Sequence, residues 1–391
     1  MAHSIIPPSS AHIWGAPNGC PGWVLMSQLY PELEDSEESK EGTAAHWVAE
    51  EMIDSLSRAK IGHPEKEDIV GTLAPNHVVI TEEMYEAAEL YASDVAEVMH
   101  QTRVLGGENL GIEARVKAPH IHELSEGTVD CYLYSRKTNE LFIWDFKFGH
   151  GIVEAYDNWQ AINYTSGILD TLGIDGELDQ RTTVRIRIAQ PRAFHRDGAI
   201  REWAVKASDL RGKFNILHNN AAKALSPDAK CNSGSHCKYC SARHACPTAL
   251  AAGMQLYEVA GAAMPVELSD DALATQYAIV QRALKQLEYL ESGYQEQLKS
   301  RLRSGASVQG YRVEEGKGRE RWAKPVEEVI AMGDMLGHDL RNLQAITPNQ
   351  AKKLGVDESV IIAYSETPKT GLKLVPDDGN KAKLIFGDNQ T

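Results

Sequence analysis

No stretch of the 391 residues approaches 18 consecutive apolar positions, which excludes a membrane-spanning helix. Met1 to Ser10 has no basic segment leading into an apolar one, so no secretory signal is expected and the chain reads as cytoplasmic. There is no Gly-x4-Gly-Lys-Ser/Thr loop to power a motor, no helix-turn-helix and no internal repeat. Basic residues are the minority: 40 Lys and Arg stand against 55 Asp and Glu, a net charge of −15. That balance argues against a protein that coats nucleic acid or anionic membrane. It leaves room for a nucleic-acid enzyme, whose field at the groove is what counts. Apolar residues at 42% and charged residues at 24% are ordinary values, so wholesale disorder, a fibre and a disulfide miniprotein are excluded.

The charge is unevenly spread. Glu32 to Asp54 holds nine acids and one lysine, whereas Arg181 to Arg201 holds six arginines against Asp197 alone. Lys299 to Lys324 holds eight basic residues against three glutamates. Residues 1–41 read as an irregular lead-in. A helix is expected from Thr43, with its side chain as cap, through Leu56, and a second from about Thr81 to Val104. Short β-type runs follow at 110–116, 127–134 and 141–148, the last two as a hairpin. Helix is then expected over 154–172, strand over 182–190, helix over 204–224 and a long helix over 268–303. Residues 305–391 mix Gly, Pro and charge and read as a small accessory region.

Chemistry concentrates between 113 and 164. Asp145 and Lys147 are two apart on a strand, so both side chains leave one face. Asp130 lies on the neighbouring strand of the hairpin, where pairing would bring its carboxylate near Asp145. Two carboxylates on one face suit Mg²⁺ or Mn²⁺, which prefer hard oxygen ligands. A lysine beside such an ion can orient a water or stabilise negative charge on phosphorus. Gln160 and Tyr164 are i and i+4 on the next helix and would hold the lysine or a DNA phosphate. Taken singly, Asp145 and Lys147 are an ordinary ion pair, and His46 a core histidine. But Asp145 sits inside Leu141-Phe142-Ile143-Trp144-Asp145-Phe146-Lys147-Phe148, and a charge in so apolar a run needs a partner or a metal.

Taken in order, His46 on a helix, Glu113 on the first core strand, Gly127-Thr128-Val129-Asp130, Asp145-x-Lys147 and Gln160-x3-Tyr164 resemble the PD-(D/E)xK nuclease superfamily. The closer resemblance is to its RecB-like exonuclease branch, over roughly residues 10–250. It implies a restriction-endonuclease-like α/β core, a central mixed β-sheet flanked by helices, over 1–250. A helical extension over 251–304 and the accessory region 305–391 would follow. It also implies metal ligation by His46, Glu113, Asp130, Asp145 and the Phe146 carbonyl, water positioning by Lys147, and DNA phosphodiester hydrolysis. Asp130 stands in Gly-Thr-Val-Asp rather than in a Pro-Asp pair, a form common in this branch.

Six cysteines are present, four of them between 231 and 246, and such clustering reads as ligation rather than disulfides. Cys237-x2-Cys240-x5-Cys246 suits Zn²⁺ or an iron–sulfur cluster, with Cys231 or Cys20 as the fourth ligand. Cys131, next to Asp130, is expected in the core. Some RecB-like nucleases hold a [4Fe–4S] cluster with one early cysteine and a C-x2-C-x5-C set. That resemblance selects Cys20, Cys237, Cys240 and Cys246, while Zn²⁺ on the Cys231 set stays open.

Arg185 and Arg187, with Arg181, Arg192, Arg196 and Arg201, would line a DNA groove or form a solvated face paired with acids. Trp14, Trp23, Trp159 and Tyr239 are the aromatics considered for base stacking. The resemblance points to linear DNA ends, single- or double-stranded, as substrate, without sequence specificity. It suggests phage or prophage recombination or replication proteins as partners in a host bacterial cytoplasm, and is compatible with a homo-oligomer. The competing readings are a non-catalytic DNA-binding or scaffold protein on the same fold, and an unrelated zinc protein.

Overall fold

Val184, Ile186 and Ile188 alternate with Arg185 and Arg187, and all three apolar side chains are fully buried. Their strand is one of five in the computed structural model of the chain. The structure describes residues 4–32, 37–57, 65–104, 107–251 and 268–313, with isolated positions at 254, 331, 335 and 359. The described body belongs to one compact unit, Met1–Val313.

The strands are β1 (Leu110–Lys117), β2 (Glu126–Ser135), β3 (Glu140–Phe146), β4 (Thr183–Ala189) and β5 (Ile200–Lys206). They pair in sequence order, antiparallel except for the parallel β3–β4 pair. A parallel pair needs a crossover. It contains α6 (Trp159–Leu172) and α7 (Glu177–Arg181). Before the sheet come α1 (Ala11–Trp14), α2 (Trp23–Leu29), α3 (Glu37–Ser57), α4 (Lys66–Ile69) and α5 (Glu82–Thr102); after it come α8 (Ala207–Ala224) and α9 (Asp270–Arg303).

Strand alternation feeds two cores. Leu141 and Ile143 pack with Ile162, Ile168, Leu210 and Leu217 from α6 and α8. Phe142, Trp144 and Phe146 pack on the other face with Val48, Met52, Tyr91 and Val95 from α3 and α5. The sheet is thus mixed and flanked by helices on both faces, consistent with the restriction-endonuclease-like core.

The lead-in expected to be irregular holds α1 and α2, because the apolar Ile13, Trp14 and Val24 are buried there; three further boundaries move. Helix α3 starts at Glu37, where Glu37 and Glu38 favour the positive helix terminus. Thr43 is internal to α3, and its hydroxyl donates to the Ser39 carbonyl instead of capping. Helix α6 starts at Trp159, not 154, because the Asn158 side chain accepts from Ala161 N–H at 3.0 Å and fixes the N-terminus there. Residues 204–206 are strand, since β5 runs on to Lys206 before α8 begins. Expectations for 252–267, and for 314–391 apart from the isolated positions, fall outside the described residues.

Candidate metal and catalytic site

The site forms where β1, β2 and β3 meet α3 and α6. In a regular strand residues two apart share a face. Leu110 and Ile112 pack toward the α3–α5 core, yet Ala114 and Val116 pack toward the α6–α8 core. Likewise Val129 faces the α6–α8 core and Cys131 the other. Both strands therefore change parity at one level, that of Glu113 and Asp130, and the ladder register passes over these two residues. Glu113 adopts φ +44°, a left-handed conformation rare for a side-chain-bearing residue. Such strain is held only where surrounding structure over-determines it.

Helix α3 brings His46 to this level. Its Nδ1 lies 3.7 Å from Glu113 Oε1 and 3.8 Å from Asp130 Oδ2. One ligand atom from each of the three falls within 4.8 Å of the others. The His46 ring rests against Phe146, which stacks on Tyr91. Asp130 Oδ2 accepts the Phe146 N–H at 2.6 Å, which ties the trio to β3.

Asp145 is buried at the end of β3. Its Oδ1 meets Lys147 Nζ at 3.0 Å and accepts from Gln160 Nε2 at 2.7 Å. Lys147 also reaches Gln160 Oε1 at 3.4 Å. Asp145 Oδ2 is buried with no hydrogen-bond partner. A carboxylate oxygen in that condition calls for a cation. His46, Glu113 and Asp130 make a hard N/O donor set that fits Mg²⁺ or Mn²⁺, and Asp145 stands outside that set on the neighbouring strand.

The electrostatics are tightly coupled. Burial pulls the His46 imidazolium down, but Asp130 and Glu113 outweigh it and push His46 up to about 9. Burial raises Asp130 and Asp145, against the pull of His46 and Lys147 on the first and chiefly Lys147 on the second. Lys147 is lowered by burial, yet Asp145 and Asp130 bring it above its ordinary value, so it is an ammonium and not a base.

Tyr164 lies next to the site but packs on the core. It is buried in the α6–α8 core, and burial followed by the Asp130 charge raises its phenol, which stays neutral. A Cβ on Gly127 would sit 3.0 Å from the Tyr164 hydroxyl, so glycine there lets α6 close on β2. Glu50, one turn beyond His46 on α3, was missed in the sequence; burial and then Glu113 raise its carboxyl. Its signal was the i, i+4 spacing from His46.

The arginines of β4 belong to the paired reading. Arg185 binds Glu140 and Glu202, and Arg187 binds Glu202 and Asp94, which also accepts from Trp144 Nε1. Arg192 pairs with Glu83 and Glu41, while Arg201 is buried against Gln190 and the Val153 carbonyl. Arg181 and Arg196 lie in the open beside Glu177 and Asp197. Of the four aromatics, Trp14 is fully buried, Trp23 and Trp159 pack on the core, and Tyr239 is 57% exposed.

A second cluster lies away from the sheet. Cys20, Cys231, Cys237, Cys240 and Cys246 line one pocket with Trp23 and Met26 of α2 and with Ala249. None is in a disulfide. Cys20 Sγ accepts from Asn232 N–H at 3.2 Å and Cys237 Sγ from Gly234 N–H at 3.4 Å. Burial and then Cys246 push the Cys231 thiol up to about 12, and burial pushes Cys240 up to about 11. Cys131 is fully buried in the α3–α5 core, as its register requires.

No described helix is long and apolar enough to cross a membrane. No curated protein matches the chain. A solved structure described as "Crystal structure of SSO0001" is similar at 9% identity and a TM-score of 0.22, over 57% of this chain and 92% of that one. Residues 3–380 match the family model described as protein of unknown function (DUF2800), and the chain belongs to that family.

Proposed function

We propose that the chain is a divalent-metal-dependent deoxyribonuclease that acts on linear DNA ends. One observation carries the reading. His46, Glu113 and Asp130 converge within 4.8 Å against β1 and β2, and the neighbouring β3 adds a buried Asp145 oxygen without a partner, paired through its other oxygen with the Lys147 ammonium. His46, Glu113, Asp130 and Asp145 would hold Mg²⁺ or Mn²⁺, with the Phe146 carbonyl as the further donor that the nuclease resemblance suggests. When bound, such an ion lowers the pKa of a water and offsets charge on a phosphate. Asp145 and Gln160 fix the Lys147 ammonium in place. That ammonium orients the attacking water by donating to it, and offsets charge that grows on the phosphoryl oxygens. Gln160 bridges Asp145 and Lys147 and keeps both rotamers set.

The five-cysteine pocket supports an iron–sulfur cluster. Tetrahedral zinc, at about 2.3 Å per sulfur, needs donors about 4 Å apart. The Cys231 thiol meets those of Cys246 and Cys20, so zinc on a set that includes Cys231 is the alternative. N–H groups aimed at the Cys20 and Cys237 sulfurs suit [4Fe–4S] on Cys20, Cys237, Cys240 and Cys246, the set that the nuclease resemblance selects.

The test uses anaerobically purified protein and end-labelled single- and double-stranded DNA, with Mg²⁺, Mn²⁺ or EDTA. Metal-dependent loss of label from one end, absent in Asp145→Ala, is expected. Absence of cleavage by folded protein that carries iron and sulfide would favour a non-catalytic DNA-binding role. Activity retained in full by Asp145→Ala would refute the site.

A further inference from the structure

We propose that two copies of this chain pair along the outer face of α9. The helix has 34 residues, about 51 Å at 1.5 Å per residue. It presents an inner row and an outer one. The inner row is used by its own chain. Gln286 is buried and donates to the Gly234 carbonyl, and a Cβ on Gly293 would stand 2.9 Å from Arg243. Arg243 in turn binds Ser292 and Glu296.

The outer row is Leu273, Tyr277, Val280, Leu284, Leu287 and Tyr294, each between 36% and 57% exposed. Their steps are 4, 3, 4, 3 and then 7, with Glu291 filling the gap. That is the a/d spacing of a coiled coil. A row this long and apolar is out of place against water.

Two observations choose a second copy as the occupant. First, the earliest buried residue of α9 is Ala283, so among the described residues more than three turns before it bury no side chain fully. A helix of that length is marginal alone and needs a packed face. Second, the positions flanking the outer row, 274, 281, 288 and 295 on one side and 276, 283, 290 and 297 on the other, carry a single charge, Glu288. A different partner would be selected by complementary flanking charges. Near-neutral flanks confine like charge to Glu288 and to Glu291 within the row, and each helix offers the other the same apolar row.

The experiment is sedimentation equilibrium of the full chain under reducing conditions. The wild type is expected at about twice 43.1 kDa. Leu284→Glu with Leu287→Glu is expected at the monomer mass. Tyr277→Glu with Val280→Glu alters only exposed positions ahead of Ala283, so it keeps the test valid if the first pair misfolds. Circular dichroism checks that its core melts as the wild type does. A wild type that sediments as monomer at every concentration overturns the proposal, whether or not another segment of the chain covers the row. So does a folded Tyr277/Val280 variant that remains dimeric.

Discussion

Glu113 combines a chemical role with a backbone one, and the two separate under substitution. Its φ of +44° is comfortable for glycine and strained for other residues. Glu113→Gly is therefore expected to hold or raise thermal stability, by up to about 1 kcal/mol, while it lowers Mn²⁺ affinity. Glu113→Gln is expected to lower Mn²⁺ affinity without the stability gain. Calorimetric titration and thermal melts on both variants check this. His46, held near 9, competes with metal as a proton carrier. Its folded value lies above the ordinary 6.5, so without metal its stabilisation is full below about pH 6.5 and fades as pH rises toward 9. Mn²⁺ affinity is expected to rise over that same window, by up to about tenfold per pH unit for one displaced proton. Calorimetry in buffers of different ionisation enthalpy would register the released proton, and His46→Gln should abolish the slope. For Lys147→Met, DNA cleavage is expected to fall about 10²- to 10³-fold, as for loss of one electrostatic donor. Metal affinity should change little; a large loss would show the lysine to be structural.

At the scale of elements, α6 sets the site because both its ends and its contact face are constrained. Asn158 caps its first turn, two residues before Gln160. Asn158→Ala is expected to lose about 1 kcal/mol and to loosen Gln160, lowering cleavage more than DNA binding. The middle of α6 presses on β1: a Cβ on Gly167 would sit 2.2 Å from the Lys117 carbonyl oxygen. That oxygen is backbone and cannot swing aside. Gly167→Ala is expected to destabilise the fold by about 1–3 kcal/mol or more, read from denaturant midpoints, and to outweigh the cap variant. The strands were legible because their apolar residues alternate or run together within clear turn signals. The start of α3 was not, because Thr43 resembles a cap but bonds back into its own helix. The onset of β5 was missed because Trp203, Ala204 and Val205 are consecutive apolar residues, so the sequence shows no alternation although burial alternates from Glu202 to Lys206.

For the whole molecule, the cysteine pocket joins residue 20 to residues 231–249 across the entire sheet-bearing segment. The surrounding hydrogen bonds follow the same seam: Gly22 N–H to the Lys230 carbonyl, Asn232 to the Gly19 carbonyl, and Asn220 to the Gly15 carbonyl. A ligand that bridges these thiols would bind the folded chain and not the unfolded one, so its binding energy adds to stability. Cys240→Ala, or removal of the proposed cluster, is expected to lower the melting temperature and expose residues 4–32 to protease, while Mn²⁺ affinity at the proposed His46 trio is expected to be unchanged. Protease resistance unchanged on removal would show that the seam holds by packing alone.

The sequence by itself determined the order of helices α3, α5, α6, α8 and α9 and of strands β1 to β4, through periodicity and apolar runs, which are local properties. The ordered set His46, Glu113, Asp130, Asp145, Lys147 and Gln160 was legible through its resemblance to the nuclease pattern. Only the tertiary structure decided which of those groups meet. It put Gln160 on Asp145 but left Tyr164 in the core, because residues i and i+4 share a helix face while that face spans both the site and the core. It also turned the arginines of β4 toward Glu140, Glu202 and Asp94, whose positions come from three other elements. It drew Cys231 to the other thiols, and it left one row of α9 facing water. Each of these depends on how distant segments pack, and no local pattern encodes it.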